Sequence, residues 1–233
     1  MAESWFVDEL QYAGPEHLDP GFVAGYDRKQ GHPRFDGDLQ VLQKHGVLTS
    51  RSTVVDLGTG TGRFAIAAAP CCRRVVAVDV SGVMLEYVRD SAAEAGASNV
   101  ECVRAGFLSY EHEGAPADAV FSRNALHQLP DFWKGIALQR MASTLRPGGV
   151  LRLHDLVYDF SPADAPAALN RWMDGAVQDP AVGYTRADFA THVRTEFSTY
   201  RWLLEPLLSA TGFEIIDADV RREIYATYTC VKR

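Results

Sequence analysis

Short, unbroken apolar runs alternate with amphipathic stretches along most of this 233-residue chain. Runs of four or five β-branched and other apolar residues are typical of buried parallel strands. On this basis strands are predicted at residues 53–57, 75–78, 99–103, 117–121 and 150–153, although most of them also contain one or two polar residues. Between them, residues 61–69, a segment capped by Ser81 and residues 131–145 are predicted as helices. The alternation predicts an α/β fold, with a mostly parallel sheet covered by helices on both faces.

The first fifty residues depart from this alternation. They contain several aromatic residues among glycines and prolines and show no strand pattern. Only residues 35–48 have apolar positions at helical spacing. We therefore predict an N-terminal helical cap over residues 1–50, followed by one larger domain over residues 51–233.

The pattern changes again after the fifth predicted strand. Residues 159–200 are rich in alanine, proline and polar residues, and they are predicted as a helical insertion with one helix around 163–178. A further helix is predicted over 198–210. Two apolar runs at 213–220 and 224–231 follow almost without a gap, which predicts an antiparallel hairpin at the edge of the sheet.

A glycine-rich loop follows the first predicted strand, in the segment TVVDLGTGTGRFAI. Gly58, Gly60 and Gly62 let the backbone turn sharply and approach a ligand closely. The loop enters a helix, whose free N–H groups favour an electron-rich ligand. A dinucleotide fingerprint would place its third glycine at position 63, which is Arg63. The spacing therefore disfavours a nicotinamide dinucleotide.

Two carboxylates accompany this loop. Asp56 stands two residues before Gly58 and can accept a hydrogen bond from a ligand ammonium. Asp79 ends the second predicted strand, 21 residues after Gly58, where a carboxylate can accept both hydroxyls of a ribose. Together they favour a nucleoside joined to an amino acid.

Three segments together resemble a known family. VVDLGTGTG, VVAVDVSGVML and DAVFSRNALHQLPDFWKGIALQRMASTLRPGGVLRLHD, which lie within residues 52–155, are similar to the motifs of the class I S-adenosylmethionine-dependent methyltransferases of the small, freestanding type. The resemblance implies a Rossmann-like, seven-stranded sheet whose last strand is antiparallel. It also implies methyltransferase activity (EC 2.1.1.-), with S-adenosyl-L-methionine as cofactor and S-adenosyl-L-homocysteine as product.

The resemblance also implies which residues bind the cofactor. Their side chains or backbone are expected to contact the methionine part (Asp56, Gly58, Thr59, Gly60 and Asn124), the ribose (Asp79) and the adenine (Val80, Met84, Gly106 and Phe107). Gly106 departs from the family pattern, which usually has an acidic or polar side chain there for the adenine amino group. Adenine recognition is therefore expected to use backbone groups and packing on Phe107.

The catalytic step requires alignment, and a base where the acceptor must lose a proton. His127, three residues after Asn124, and His154, at the end of the fifth predicted strand, are the candidate bases. The alternative for each is a hydrogen bond to a loop or a helix end. The segment 192–206, which contains His192 and Glu196, is interpreted either as a substrate-pocket wall or as a packed, salt-bridged lid.

Composition limits the possible partners. The net charge of −7 disfavours a broad nucleic-acid surface. No apolar run approaches the ~20 residues of a membrane helix. MAESWFVDEL lacks the pattern of a secretory signal, and the four cysteines have no C-x-x-C spacing. These features predict a cytoplasmic protein with reduced thiols and no metal site.

The leading hypothesis is methyl transfer to a small organic molecule, with an unknown O, N, S or C acceptor atom. One alternative is methylation of tRNA or protein. Another is a binding module that holds S-adenosylmethionine without catalysis. An NAD-dependent oxidoreductase is weakened by Arg63. Oligomeric state stays open.

Overall fold

The protein is described by a computed structural model over residues 5–233, with only the backbone of Pro15 and Glu16. Residues 1–4 of the predicted cap lie outside this range. The strands are β1 Thr53–Leu57, β2 Arg74–Asp79, β3 Val100–Arg104, β4 Ala117–Arg123, β5 Leu145–Tyr158, β6 Thr199–Tyr200, β7 Phe213–Arg221 and β8 Tyr225–Lys232. The main sheet has the order β3-β2-β1-β4-β5-β8-β7.

Eight α-helices accompany the strands in the described residues. They are α1 Pro20–Lys29, α2 Asp36–Lys44, α3 Arg63–Ala68, α4 Gly82–Glu94, α5 Asp131–Thr144, α6 Ala165–Met173, α7 Arg186–Thr195 and α8 Arg201–Ala210. Short 3-10 turns at Glu9–Gln11 and Pro15–Leu18 precede α1. None of the helices in residues 5–233 is long and apolar enough to cross a membrane.

The predicted α/β architecture is confirmed. Strands β3, β2, β1, β4 and β5 pair in parallel, and β8 pairs antiparallel with both β5 and β7. One apolar layer packs α5 and α8 against the sheet, and a second packs α2, α3 and α4 against the opposite face. Helices therefore cover both faces, and the carboxyl ends of the parallel strands meet at one edge. The division into a cap and a domain at residue 50 stays a prediction.

Several predicted boundaries were wrong: β5 begins at Leu145 and not at residue 150, and α8 begins at Arg201 and not at residue 198. The fifth strand was expected to end at residue 153, but β5 continues to Tyr158, because residues 154–156 pair with β8 and residues 157–158 pair with the two-residue strand β6, which the sequence pattern did not predict. The insertion helix is also shorter than 163–178. It ends at Met173, and its amphipathic face buries Ala168 and Trp172.

The glycine-rich loop fits its surroundings because Gly58 and Gly62 have no side chains. Gly58 has φ +71°, and a Cβ there would lie 2.5 Å from the Cβ of Ala125. Gly62 has φ +75°, and a Cβ there would lie 2.7 Å from Cγ1 of Val88 in α4. The loop is thus held between α4 and the segment after β4.

We predict that Gly62→Ala destabilises the protein more than Gly96→Ala. Both glycines have positive φ, but the space around Gly96 is open. Gly96→Ala should cost only the left-handed backbone strain, about 1–2 kcal/mol. Gly62→Ala should add an overpacking cost of about 1–3 kcal/mol against Val88. Urea denaturation of both variants measures the difference, and equal losses would contradict the packing argument.

Candidate functional site

Two adjoining cavities open at the carboxyl ends of β1, β2 and β4. The larger encloses about 700 Å³ and the smaller about 500 Å³. Both are lined by Tyr26, Gly58, Gly60, Arg123 and Asn124. Together they form one cleft that passes over the glycine-rich loop, at the place where open α/β sheets bind ligands.

Asp79 fixes the shape of the loop. Its carboxylate accepts hydrogen bonds from the backbone N–H of Gly60 and of Ser81, each at 2.9 Å. The Val78 carbonyl accepts two more, from Gly58 at 2.9 Å and Thr59 at 3.0 Å. Burial raises the pKa of Asp79, and the two N–H donors oppose that rise. Asp79 also lines the larger cavity, so the carboxylate that holds the loop also faces the cleft.

Asp56 lies at the other end of the cleft. Its side chain is buried, lines the smaller cavity and accepts a hydrogen bond of 2.6 Å from the Thr59 hydroxyl. Burial raises the pKa of Asp56 to about 7. A cationic group in the smaller cavity would therefore favour ionisation of this carboxylate near neutral pH.

All ten residues predicted to bind the cofactor line this cleft. The larger cavity contacts eight of them, namely Gly58, Gly60, Asp79, Val80, Met84, Gly106, Phe107 and Asn124. The smaller cavity adds Asp56 and Thr59. Their roles toward a cofactor stay predictions, but the fold brings them together around one space.

Glu9 is a cleft residue that the sequence analysis missed. A Cβ on Gly106 would lie 2.6 Å from Oε2 of Glu9, so the carboxylate fills the place where Gly106 has no side chain. Glu9 accepts a 2.9 Å hydrogen bond from the Ser109 hydroxyl. Burial raises its pKa, while this hydroxyl and nearby backbone N–H groups lower it. Glu9 and Ser109 are 100 positions apart in sequence, and no sequence pattern predicts a contact over that separation.

Asn124 and Arg123 line both cavities after β4. Asn124 has φ +51°, an unusual conformation for a residue other than glycine, and donates its backbone N–H to the His154 carbonyl at 2.9 Å. The Arg123 guanidinium lies over the Phe35 ring, 5.4 Å from its centroid. Burial lowers the pKa of Arg123, although nearby Asp38 opposes the effect.

His127 is buried in a cluster of charged groups behind the cleft wall. Its Nδ1 makes a very short contact with Asp155, which also accepts the His127 backbone N–H at 2.9 Å. Its Nε2 lies 3.0 Å from the Glu196 carboxylate. Burial favours a lower pKa for His127, but the two carboxylates raise it to about 9. Carboxylates contact both ring nitrogens, and the role of His127 as a base stays a prediction that this geometry does not favour.

His154 lies inside β5 and not at its end, which corrects the predicted position. Its Nε2 lies 2.6 Å from Asp38, and its Nδ1 lies 2.8 Å from the Thr227 hydroxyl. Asp38 also accepts a 2.8 Å hydrogen bond from Arg152. Both ring nitrogens thus connect α2 with the sheet, and His154 is not among the residues that line the two cavities. Its catalytic role also stays a prediction without geometric support.

The segment 192–206 is packed against neighbouring elements. Glu196 pairs with His192 at 2.5 Å as well as with His127. The buried Lys134 donates to the Phe197 carbonyl and pairs with Asp131 at 2.7 Å. These contacts favour the packed-lid interpretation over an open pocket wall.

The cap is joined to the insertion above the cleft. Lys29 pairs with Asp188 at 3.3 Å, and Arg28 donates to the Ala181 carbonyl at 3.2 Å. On the other side of α1, Asp27 accepts a 2.5 Å hydrogen bond from Thr61. Helix α1 therefore connects the glycine-rich loop to the insertion.

Sequence comparison identifies the central part of the chain as a methyltransferase domain. Residues 54–149 match the family described by that name. Phosphoethanolamine N-methyltransferase 2 of Caenorhabditis elegans is 29% identical over 147 residues, which are 62% of this chain and 32% of that protein. The 27-O-demethylrifamycin SV methyltransferase of Amycolatopsis mediterranei is 30% identical over 126 residues, which are 53% of this chain and 46% of that protein. The chain thus spans about a third to a half of the length of these curated relatives.

Solved structures share the fold. Magnesium protoporphyrin IX methyltransferase from Synechocystis PCC 6803 with bound SAH has a TM-score of 0.67 and 17% identity, with 97% of this chain and 100% of that chain covered. The [4+2]-cyclase SpnF has a TM-score of 0.63 and 19% identity, with 84% and 80% covered. These likenesses show the fold, and a fold alone does not fix a reaction.

Family and fold agree with the motif set and with the position of the cleft. The matched domain contains the glycine-rich loop, Asp56 and Asp79, and the chain shares its overall fold with a solved methyltransferase structure. Residues 54–149 therefore form a methyltransferase domain, and the sequence motifs and the fold of the chain agree with the class I S-adenosylmethionine-dependent methyltransferases, a family that uses S-adenosylmethionine as its cofactor.

Proposed function

We propose that this protein transfers the methyl group of S-adenosylmethionine to a small organic molecule. The observation that carries the proposal is the continuous cleft with Asp56 at one end of the glycine-rich loop and Asp79 at the other. This arrangement fits a ligand with a cationic amino acid at one end and a ribose farther along.

Each part of the cofactor has a matching group in the cleft. Asp56 would pair with the ammonium of the methionine part, and Asp79 would accept the ribose hydroxyls. Met84 and Phe107 would hold the adenine ring between apolar surfaces. The Glu9 carboxylate, which lies beside Gly106, would accept a hydrogen bond from the adenine amino group.

The residues of this chain would act mainly by alignment and by exclusion of water. When bound, the cofactor supplies an electrophilic methyl group and a leaving sulfur that becomes neutral. Asn124 and the backbone beside it would orient the methionine end. Arg123 is held over the Phe35 ring, where the aromatic face and nearby Asp38 stabilise its charge. Tyr26 on α1 would help to close the cleft.

The enclosure of the cleft supports a small acceptor. Helix α1 lines the cleft through Tyr26 and contacts the insertion through Lys29 and Asp188. A cleft covered on two sides admits a compact molecule more easily than a folded polymer. Two further relatives are named as ribosomal-protein and tRNA methyltransferases. The experiment below therefore compares small molecules, tRNA and protein as acceptors.

The proposed function is tested with S-adenosylmethionine labelled in its methyl group. The labelled cofactor and this protein are incubated together in three separate reactions, one with a small-molecule extract, one with tRNA and one with intact proteins as acceptors. We expect label only in the small-molecule fraction. Label in tRNA or protein would overturn the acceptor class, and cofactor binding without transfer to any fraction would support a non-catalytic module.

We predict that Asp79→Ala weakens binding of S-adenosylhomocysteine about 10- to 100-fold. The variant loses both ribose acceptors and the group that holds the loop, and hydrogen bonds to charged groups contribute about 1.5–3 kcal/mol. Isothermal titration calorimetry measures the change. Asp217→Ala, on the exposed face of β7, is the matched control and should bind as the wild type does. Equal affinity of all three proteins would exclude this cleft as the cofactor site.

We predict that S-adenosylhomocysteine binds about tenfold more tightly at pH 8 than at pH 6. Because the pKa of Asp56 is about 7, the carboxyl group is mainly protonated at pH 6 and mainly ionised at pH 8. Only the ionised form pairs with the ligand ammonium, so binding at pH 6 must first remove a proton. Asp56→Asn should bind weakly and without this pH dependence. 5′-Methylthioadenosine lacks the amino-acid part and is the ligand control. If its affinity changed with pH to the same extent, a group other than Asp56 would be responsible.

We predict that Glu9→Gln weakens S-adenosylhomocysteine binding about tenfold and reduces discrimination against the inosine analogue. A carboxylate accepts a hydrogen bond from the adenine amino group, whereas an amide can also donate to the inosine oxygen. Asp8→Asn changes an exposed neighbouring carboxylate and should leave both affinities unchanged. A uniform loss for the two ligands would instead indicate that Glu9 only supports the loop after β3.

A further inference from the structure

Three donor groups meet between the segment after β4 and helix α7. They are Nε2 of His127, Nδ1 of His192 and the carboxylate of Glu196. One ligand atom from each residue lies within 4.8 Å of the others. His127 is 65 residues away in sequence from His192, so the fold alone creates this cluster.

The outer nitrogen of each histidine ring also has a partner. Asp155 contacts Nδ1 of His127, and the Ser198 hydroxyl lies 2.8 Å from Nε2 of His192. Metal-binding histidines almost always have such a partner, which fixes the ring orientation and directs the other nitrogen at the ion. Both inner nitrogens here are directed at Oε2 of Glu196.

We propose that His127, His192 and Glu196 bind one divalent first-row transition-metal ion. Two imidazoles and a carboxylate form a donor set that suits zinc, iron, cobalt or nickel, whereas calcium and magnesium favour oxygen ligands. Three protein ligands leave at least one position for water. The sequence analysis predicted no metal site because it looked for close cysteine spacing, and this cluster contains no cysteine.

The proposed ion lies directly behind the wall of the cleft. Gln128 lines the larger cavity, and its side-chain amide lies 3.2 Å from Nε2 of His127. Tyr12 also lines that cavity and packs edge-on against Phe197, next to Glu196. The ion would therefore fix α7 to the segment after β4, beside the space that the acceptor would occupy. This inference does not depend on the proposed methyl transfer.

The site is tested on tag-free protein that has first been treated with a chelator. Co²⁺ is added, followed by Zn²⁺ as competitor, and the visible absorption of bound cobalt is recorded. We expect one Co²⁺ per chain, weak ligand-field bands and no sulfur-to-cobalt charge-transfer band. No spectral change at one equivalent of Co²⁺ would overturn the proposal, and a strong charge-transfer band would assign the ion to the cysteines instead.

Variants separate this site from other surface ligands. His192→Ala and Glu196→Gln should each weaken Co²⁺ binding at least 100-fold. Ser198→Ala should weaken it about tenfold through the lost ring partner. His45→Ala, on the exposed end of α2, is the matched control and should bind as tightly as the wild type.

The substitutions in and next to α7 are not expected to unfold the protein, because α7 contains no fully buried residue. Circular dichroism of each metal-free variant should match that of the metal-free wild type. Unchanged Co²⁺ affinity in His192→Ala or Glu196→Gln would overturn the proposal.

Discussion

The hydrogen bonds between Asp79 and the glycine-rich loop are the interaction on which the site depends. Parallel pairing aligns Leu57 with Val78, so β1 and β2 end side by side. Asp79 then reaches across to the Gly60 N–H and back to the Ser81 N–H. The same carboxylate faces the cleft. The folded loop therefore already holds this hydrogen-bond acceptor in position for a ligand. The cost of ordering the loop is therefore met on folding and not on binding.

The remaining walls of the cleft come from distant parts of the chain. Glu9 meets the turn after β3, α1 contacts both the glycine-rich loop and the insertion, and Glu196 reaches the segment after β4. Each contact joins elements outside the parallel sheet. In the proposed function, the sheet would therefore provide a fixed floor for the cofactor, while the cap and insertion would determine the size and chemistry of the space for an acceptor.

Local rules predicted the sheet and the floor of the cleft from the sequence. β1 has the predicted bounds Thr53–Leu57, and Ser81 caps α4, because apolar runs and capping depend on adjacent residues. The interior position of His154 was missed because β5 is extended beyond it by pairing with β8 and β6, which lie some forty to seventy residues away. Glu9 and the His127 cluster were missed for the same reason. Long-range contacts leave no periodic signal in one sequence, and several residue types satisfy them equally well.

The charges in the cleft suggest how the proposed reaction would turn over. Asp56, Asp79 and Glu9 bring three carboxyl groups to the cavities, while the guanidinium of Arg123 lies over the Phe35 ring. A ligand with a positive sulfur gains attraction from ionised carboxylates in a site of low dielectric. Methyl transfer would remove that positive charge and with it part of the attraction. The neutral thioether would then be held less tightly than the sulfonium, so the electrostatic arrangement that favours cofactor binding would also favour product release.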